Sequence, residues 1–461
     1  MIGGDAANGV DRERVRALRV REDARFLDER PRSHELLERA RASMPNGVPM
    51  SWMATLYDHP VVFVKEGHGA RFTDVDGHSY LDMNIADTSV FCGYAPPPLV
   101  QAVTRQIGRG AQFLLPNEDA PWVAEELGRR FGLSRWQFTL SATGANTEAV
   151  RVARAKTSRE GVLTFDGKYL GHADELLTSL DRGAVVPEYL GLAASSAANA
   201  RMIQFNDLQA LEEALAGREI ACVVTEAAQT DLGVILPDPG FHDALRDLTR
   251  AAGTLLVIDE THTLICGPGG LTREWGLAPD LVTMGKSIGG GVAIGAYGMT
   301  EEVAAVLEPS DDTAALGDAG GPLPEVAVGG TLYGNALSMA ATRATLEHVL
   351  TKGAYARAVE LGKTLADGIA AAILDAALPW TAQRLFTRSG YTFAPELPAN
   401  AIEARAATDP ELTGLIRVAM ANRGVWEAGD WAGPAVSVAT VDADVDFYLA
   451  AFRDIINTLV D

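Results

Sequence analysis

The stretch that decides the fold is D-L-V-T-M-G-K-S-I-G-G-G-V-A-I-G-A, residues Asp280–Ala296. A β-prone run, Leu281–Met284, leads to Lys286, and the glycines Gly289–Gly291 follow. A lysine at the end of a buried strand loses hydration, which favours its neutral, nucleophilic form. Such an amine can form a Schiff base. Lysines also occur in ordinary glycine-rich loops, so the stretch alone leaves both interpretations open.

Outward from this stretch, β-prone runs alternate with helical patterns from Trp136 onward. The predicted elements are strands over Gln137–Leu140, Gly161–Phe165, Ile220–Thr225, Thr254–Ile258 and Leu281–Met284, and a helix over Asn146–Thr157. This alternation predicts an α/β fold with a large, mostly parallel sheet covered by helices on both faces. Ligands bind at the carboxyl ends of the strands in such sheets, so the residues that follow the strands are the candidates for a site.

The flanking regions predict smaller units. Residues 11–42 carry Leu, Val and Phe at helical spacing, which predicts a helical arm. A small β-meander with a turn at Asp76-Gly77 follows, and the loop after it, Ala86–Cys92, could reach a pocket. Ser338–Ala372 is Ala-rich and helical, and the next β-prone run is Leu385–Phe393. We predict three parts: residues 1–95 (helical arm and small-domain segment), 96–337 (large domain) and 338–461 (smaller α+β domain).

The composition narrows the class of function. The chain has 461 residues, 47% of them hydrophobic, and can bury a large core. Its 61 acidic and 39 basic residues give a formal net charge of -22, which disfavours nucleic acid and anionic membranes as partners. Three widely spaced cysteines suggest neither a disulfide framework nor a zinc site, and neither a signal peptide nor a membrane span is evident. We therefore expect a cytoplasmic globular protein with small-molecule partners.

Two candidate binding segments follow predicted strands. In L-S-A-T-G-A-N, residues 140–146, backbone N–H groups at a helix start and the hydroxyls of Ser141 and Thr143 suit a phosphate, although an ordinary helix cap has the same pattern. In F-D-G-K-Y-L-G-H-A-D, residues 165–174, Tyr169 could stack on a planar ligand or pack in the core.

Asp259 ends the apolar run T-L-L-V-I-D-E. A carboxylate in this position needs a cationic or hydrogen-bonding partner. A metal would need more ligands than the nearby His262 offers, whereas a protonated pyridine nitrogen would suffice. A phosphate site, a stacking ring, an acid for a pyridinium and a Schiff-base lysine together describe a site for pyridoxal phosphate.

The order and wording of these motifs resemble the class III (ω-type) aminotransferases of fold type I, and particularly the branch containing glutamate-1-semialdehyde aminomutase. The resemblance runs from about residue 36 to residue 433. The matching segments are residues 140–146 (family N-S-G-T-E-A-N), 167–174 (G-x-Y-H-G-H-A-D), 205–208 (Y-N-D-L), 259–261 (D-E-V) and 330–337 (G-T-L-x-G-N-x-L).

The resemblance implies a homodimeric enzyme whose large domain, residues 96–337, binds pyridoxal phosphate. Lys286 would hold the cofactor as a Schiff base and move a proton, and Asp259 would pair with the ring nitrogen. The other implied cofactor contacts are Ser141, Ala142 and Thr143 with the phosphate, Tyr169 and Thr261 with the two ring faces, Glu226 in the lining of the site, and Thr331 with the phosphate of the neighbouring subunit's cofactor.

The chain departs from the family pattern at several positions. Gly144, Ala227 and Leu170 stand where the family has Glu, Pro and His. In G-V-P-M-S-W-M, residues 47–53, Met50, Trp52 and Met53 occupy the segment in which aminomutases and β-amino acid aminotransferases carry an arginine for the substrate carboxylate. The lost charge-assisted pair is worth about 1.5 to 3 kcal/mol.

We therefore predict an aminotransferase that moves an amino group from a primary amine or an ω- or β-amino compound to a small 2-oxo acid such as pyruvate. Trp52 would lie beside the amine substituent. An intramolecular aminomutase is the alternative within enzymes, and a catalytically silent cofactor-binding protein is the alternative outside them. The 2-oxo acid needs a cation, and Arg384 and Arg388 are the candidates, although each could be a surface arginine.

Overall fold

A computed structural model of the chain describes residues 8–308, 326–427 and 432–460. Numbered in chain order, the strands are β1 (Val64–His68), β2 (Arg71–Asp74), β3 (Ser79–Asp82), β4 (Arg135–Thr139), β5 (Gly161–Phe165), β6 (Thr178–Asp181), β7 (Ala184–Pro187), β8 (Ala200–Ile203), β9 (Ile220–Glu226), β10 (Leu255–Asp259), β11 (Leu281–Met284), β12 (Gly295–Met299), β13 (Thr381–Leu385), β14 (Arg388–Thr392) and β15 (Val425–Trp426). The α-helices are α1 (Arg12–Asp28), α2 (Pro31–Arg41), α3 (Pro97–Ile107), α4 (Asp119–Phe131), α5 (Ala142–Thr157), α6 (Leu208–Ala216), α7 (Phe241–Ala252), α8 (Gly270–Glu274), α9 (Glu301–Ala304), α10 (Ala336–His348), α11 (Lys352–Asp375), α12 (Ala401–Ala406), α13 (Pro410–Ala421) and α14 (Asp442–Val460).

A large sheet forms the centre of the described part of the chain, with the strand order β4-β12-β11-β10-β9-β5-β8. Strand β12 runs antiparallel to both of its neighbours, and the remaining neighbours are parallel. Every residue of β9 is buried, as expected for a strand with both faces covered. The predicted α/β fold with a large, mostly parallel sheet is confirmed.

The central elements lie close to their predicted positions. Strands β5 and β11 coincide with the predicted runs. Helix α5 begins at Ala142 rather than at Asn146, because the Ser141 side chain caps the helix one turn earlier. Strands β8 and β12 were not predicted. Two glycines in β12 weaken its β pattern, and a side chain at Gly298 would collide with the ring of Trp136.

The N-terminal meander and a strand from the C-terminal third share a second sheet, with the order β1-β2-β3-β15. The predicted turn at Asp76-Gly77 lies between β2 and β3, and Gly77 has the left-handed φ of 98° that suits glycine. Strand β15 pairs in parallel with β3, which joins the C-terminal part to the N-terminal meander. The helical arm consists of α1 and α2, and α1 packs against α13.

Two predictions for the C-terminal third are wrong in detail. The helix predicted over Ser338–Ala372 is divided into α10 and α11, because Thr351 caps a new helix by accepting a hydrogen bond from the Ala354 N–H. The run Leu385–Phe393 is part of the hairpin β13–β14, which turns at Phe386 (φ 55°). The division of the chain after residues 95 and 337 stays a prediction. Within the described ranges, no helix has the length and apolar character needed to cross a membrane.

Candidate active site

A cavity of about 240 Å³ lies at the carboxyl ends of the central strands. The strand register pairs Glu226 with Asp259 and Asp259 with Thr283, so β9, β10 and β11 end side by side. Lys286 follows β11 by two residues. The cavity is lined by Ser89, Leu140, Ser141, Ala142, Thr143, Tyr169, Gly171, Asp259, Thr261, His262, Lys286, Gly291, Val292, Ala293 and Ile294. Residues that are far apart in the sequence thus meet at one edge of the sheet.

The start of α5 forms one end of the cavity. Ser141 is the N-cap, and its hydroxyl accepts a hydrogen bond from a first-turn N–H at 3.1 Å. The first N–H groups of a helix have no intrahelical acceptor. Gly171 approaches this turn so closely that a Cβ there would lie 2.5 Å from Thr143 Oγ1. The glycine therefore leaves room for a cradle of N–H and hydroxyl groups that suits an anion.

Asp259 is buried, with 3% of its surface exposed. It accepts hydrogen bonds from the Thr261 N–H at 2.8 Å and from Asn146 Nδ2 at 2.6 Å. Thr283 Oγ1 donates to Asn146 Oδ1 at 2.6 Å, which turns the amide NH₂ of Asn146 toward Asp259. Burial raises the pKa of Asp259 although these hydrogen bonds oppose the shift. A cation in the cavity would therefore stabilise the ionised carboxylate.

Lys286 projects into the same cavity from a strained backbone position with a φ of 40°. Its Nζ lies 2.7 Å from Asp87 Oδ2 and is hydrogen-bonded to His262 Nε2. Gly285, immediately before it, lies so close to α5 that a Cβ would be 2.7 Å from the Ala142 nitrogen. Glycine at this position lets the end of β11 meet the start of α5, which brings the amine and the anion cradle together.

Asp87 lies in a left-handed turn, Ile85–Thr88, whose φ values run from 46° to 65°. Non-glycine residues pay roughly 1 to 2 kcal/mol each for this conformation. The carboxylate of Asp82 holds the turn by accepting hydrogen bonds from the N–H groups of residues 84–86 at 2.8 to 3.1 Å. The loop was expected to reach a pocket, but no local pattern identified Asp87 as the residue that contacts the lysine.

His262 connects Lys286 to a buried acid. Its Nδ1 lies 2.9 Å from Thr230 Oγ1, and Thr230 Oγ1 lies 2.6 Å from Glu226 Oε1. His262, Thr230 and Glu226 are 6%, 0% and 3% exposed. Burial and the charge of Lys286 lower the pKa of His262 well below its ordinary value, and burial raises the pKa of Glu226 to about 8. The sequence drew attention to His262 only as a metal ligand, and it gave no signal for Thr230.

The predicted ring contacts lie beside the lysine. Tyr169 lines the cavity and stacks against His262, with ring centroids 6.3 Å apart and planes at 19°. Trp52 packs edge-on against Tyr169 at 5.5 Å, beside the cavity. Thr261 lines the cavity, whereas Glu226 lies behind His262 and is not part of the lining.

The structure separates the two candidate arginines. Arg388 is buried, with 3% of its surface exposed. The pKa of His262 is lowered by burial, by the charge of Lys286 and, to a smaller extent, by the charge of Arg388. Arg384 is exposed on β13, and neither arginine is part of the cavity lining. Thr331 is also exposed and outside its own chain's cavity, and its carbonyl accepts a hydrogen bond from Gln112.

The family follows from comparison with known proteins. Residues 52–397 match the family model of class-III aminotransferases. The chain belongs to the class III aminotransferases. This aminotransferase is 33% identical over 447 residues to the glutamate-1-semialdehyde 2,1-aminomutase of Desulfitobacterium hafniense, with 94% of this chain and 99% of the relative covered. The family resemblance inferred from the motifs is confirmed.

Two solved structures share the fold. A glutamate-1-semialdehyde-aminomutase variant from Pseudomonas aeruginosa PAO1, in complex with PMP, gives a TM-score of 0.92 at 36% identity, over 98% of this chain and 100% of that chain. An omega-transaminase from Sphaerobacter thermophilus gives 0.84 at 29% identity, over 93% and 97%. This family of enzymes depends on pyridoxal phosphate, as predicted. The relatives support the predicted aminomutase alternative better than the main prediction of an amine transaminase.

Proposed function

We propose that this class III aminotransferase binds pyridoxal phosphate at Lys286 and moves an amino group on a small amino compound. The observation that carries this proposal is the meeting of three groups in one cavity of about 240 Å³: the Lys286 amine, the buried Asp259 carboxylate and the start of α5. A silent binding protein would not need a lysine amine flanked by two proton-accepting groups, Asp87 and His262.

The residues present fit the cofactor. The N–H groups at the start of α5, with the hydroxyls of Ser141 and Thr143, would hold the phosphate. Tyr169 and Thr261, which line the cavity, would lie against the ring. Asp259 would pair with the ring nitrogen, because a buried carboxylate is stabilised by a cation.

Pyridoxal phosphate, when bound, supplies an electron sink for the carbon that carries the amino group. Lys286 would hold the cofactor covalently and, after an incoming amine displaces it, would take up and return a proton at Nζ. Asp87 and His262 flank this nitrogen and can accept hydrogen bonds from it. Asp259 would keep the ring nitrogen protonated, and Asn146 holds the Asp259 carboxylate in place.

Two candidate reactions have separate support. The relatives favour an intramolecular aminomutase, since the similarity to glutamate-1-semialdehyde 2,1-aminomutase extends over 94% of the chain. The segment of residues 47–53 favours a two-step transaminase, because it lacks the arginine that would bind a substrate carboxylate. In its place Trp52 packs on Tyr169. Arg388 would supply the cation for a carboxylate in either reaction.

The two reactions differ in their need for an acceptor. The purified holoenzyme is incubated with glutamate-1-semialdehyde alone and, separately, with a panel of amines in the presence and absence of pyruvate. An aminomutase isomerises the semialdehyde without an acceptor, whereas a transaminase consumes an amine only when pyruvate is present. If neither substrate set is converted and the cofactor absorbance does not respond to any amine, the proposed function is wrong.

We also propose a cytoplasmic homodimer in which Thr331 serves the partner's cofactor. The exposure of Thr331 and its absence from its own chain's cavity support this arrangement. Sedimentation at assay concentration should give a dimer, and Thr331→Ala should weaken retention of the cofactor. A fully active monomer would contradict this proposal.

A further inference from the structure

The chain of contacts from Glu226 to Lys286 consists of three hydrogen bonds in series. Glu226 Oε1 meets Thr230 Oγ1 at 2.6 Å, Thr230 Oγ1 meets His262 Nδ1 at 2.9 Å, and His262 Nε2 meets Lys286 Nζ. Thr230 has one hydroxyl proton and two neighbours that can accept it, and a neutral imidazole has one N–H for two ring nitrogens. A reversal of donor and acceptor in one of these hydrogen bonds therefore reverses the others as well.

When Glu226 is ionised, Thr230 donates to Glu226, His262 Nδ1–H donates to Thr230, and His262 Nε2 is an acceptor. An acceptor beside Lys286 stabilises its ammonium form. When Glu226 is protonated, it can donate to Thr230, Thr230 donates to His262 Nδ1, and the ring proton lies on Nε2. That N–H donates to the lone pair of a neutral Lys286 amine.

We infer that Thr230 and His262 transmit the protonation state of Glu226 to Lys286, so that the protonated acid favours the neutral amine that captures the cofactor. Glu226 and Thr230 are positioning residues in this account, and His262 touches the reacting nitrogen. The inference rests on the proposed function, because neutral Lys286 is needed to condense with the aldehyde of pyridoxal phosphate and release one water.

The surroundings of Glu226 favour its protonated form. The strand register places it beside a second buried acid, Asp259, and two like charges at such a position disfavour ionisation of both. Among the described residues, the basic side chain within ion-pair distance of Glu226 is that of His262, at 3.7 Å. The charged groups that act on Glu226 and His262 are Asp259, Asp231, Asp87, Lys286 and Arg388. With a pKa raised to about 8 by burial, Glu226 is mostly protonated at pH 7.

The test is the pH profile of cofactor capture by the full chain after removal of its cofactor. Pyridoxal phosphate is added, the reaction is stopped with borohydride at timed intervals, and the fraction of covalently modified protein is measured from pH 6 to pH 9.5. The ionisations of free pyridoxal phosphate affect all variants equally and cancel in the comparison. Glu226→Gln imitates the protonated acid, and Thr230→Val breaks the chain at nearly constant shape. Thr230→Ser restores the hydroxyl, and Thr164→Val makes the matched change at a buried threonine of β5.

We expect Thr230→Val to capture the cofactor about tenfold more slowly than wild type at pH 7. Thr230→Ser and Thr164→Val should match wild type. Glu226→Gln should match wild type at pH 7 and exceed it about threefold or more between pH 8 and pH 9, where the wild-type acid ionises. A loss of structural support would slow capture in both Thr230→Val and Glu226→Gln. Slower capture in the first and faster capture in the second therefore identify transmission of the protonation state.

A Thr230→Val profile that coincides with wild type would overturn the inference, as would a Glu226→Gln profile that does not rise above wild type at pH 8 to 9. If Thr230→Val does not fold, the Glu226→Gln comparison decides alone, because a structural defect does not accelerate capture. If wild-type protein captures no cofactor at any pH, the proposed function fails and the inference fails with it. If wild-type protein captures the cofactor but the variants do not behave as expected, the inference is wrong and the proposed function still stands.

Discussion

The two walls of the cavity are built differently. The strand-end wall consists of the start of α5 and of Asp259 at the end of β10, with regular backbone and hydrogen bonds between neighbouring elements. The loop wall consists of Ser89, which directly follows the left-handed turn Ile85–Thr88, and of His262, which Thr230 contacts from behind. Lys286 lies between the two walls.

This difference indicates that the two walls have different roles. Groups that hold a phosphate and a ring nitrogen need fixed positions, and helix starts and strand ends provide them at low conformational cost. The turn beside the loop wall is strained, and the carboxylate of Asp82 stabilises it by accepting hydrogen bonds from three backbone N–H groups. Loops of this kind vary more readily than strands.

The strand-end wall should give the largest effect on the chemical step. Asp259→Asn keeps one acceptor oxygen, and therefore one of the two hydrogen bonds that Asp259 accepts on separate oxygens, and it removes the charge that would hold the ring nitrogen protonated. We expect the turnover number to fall by about 10³-fold or more while cofactor remains bound. Steady-state kinetics and the absorbance of bound cofactor would measure this, with Asp280→Asn, which faces Arg246 outside the cavity lining, as the control. Near-normal turnover would remove Asp259 from its proposed role.

Substrate binding at the loop wall should show a smaller effect. Arg388 is buried and its charge reaches His262, whereas Arg384 is exposed on β13. We expect Arg388→Ala to raise the KM of a carboxylate-bearing substrate about 10- to 100-fold with a smaller change in kcat. Arg384→Ala is the matched control and should change neither constant. Equal effects of the two substitutions, or no effect of either, would place the carboxylate elsewhere.

The buried acid behind the loop wall should affect stability as a function of pH. The pKa of Glu226 is raised to about 8, so the folded protein binds more protons than the unfolded chain between the ordinary carboxyl pKa and pH 8. The free energy of unfolding must therefore fall as the pH rises through this window, by on the order of 5 kcal/mol from this group. Glu226→Gln should lose less stability than wild type between pH 5 and pH 8, as measured by urea unfolding of the cofactor-free chain.

Glu427→Gln is the control for this measurement. Glu427 is buried, hydrogen-bonds Tyr448, and has a pKa raised to about 7 by burial. Its substitution should also flatten the stability profile, but it should leave the pH profile of cofactor capture unchanged. Identical slopes for wild type and Glu226→Gln would show that Glu226 is ionised in the folded protein at neutral pH.

The strand-end wall was predictable because its signals are local. The apolar run that ends at Asp259 and the small residues from Ser141 to Thr143 mark the strand ends, and they make these residues candidates for a cofactor site. The contacts of the loop wall are not local, since Asp87 and His262 meet Lys286 only after β3, β10 and β11 have folded. A left-handed turn without glycine also has no reliable sequence pattern. The choice between Arg384 and Arg388, which are four positions apart, could not be made without the register of β13 and β14.

The account depends most directly on the covalent attachment of pyridoxal phosphate to Lys286. Borohydride reduction of the holoenzyme followed by peptide mass spectrometry should place the cofactor on Lys286. The Lys286→Ala protein should carry no covalent label, although it should still bind the cofactor, and should lack turnover. Lys168→Ala, at another partly buried lysine, should label as wild type does. A label on a different lysine, or wild-type turnover in Lys286→Ala, would contradict the account.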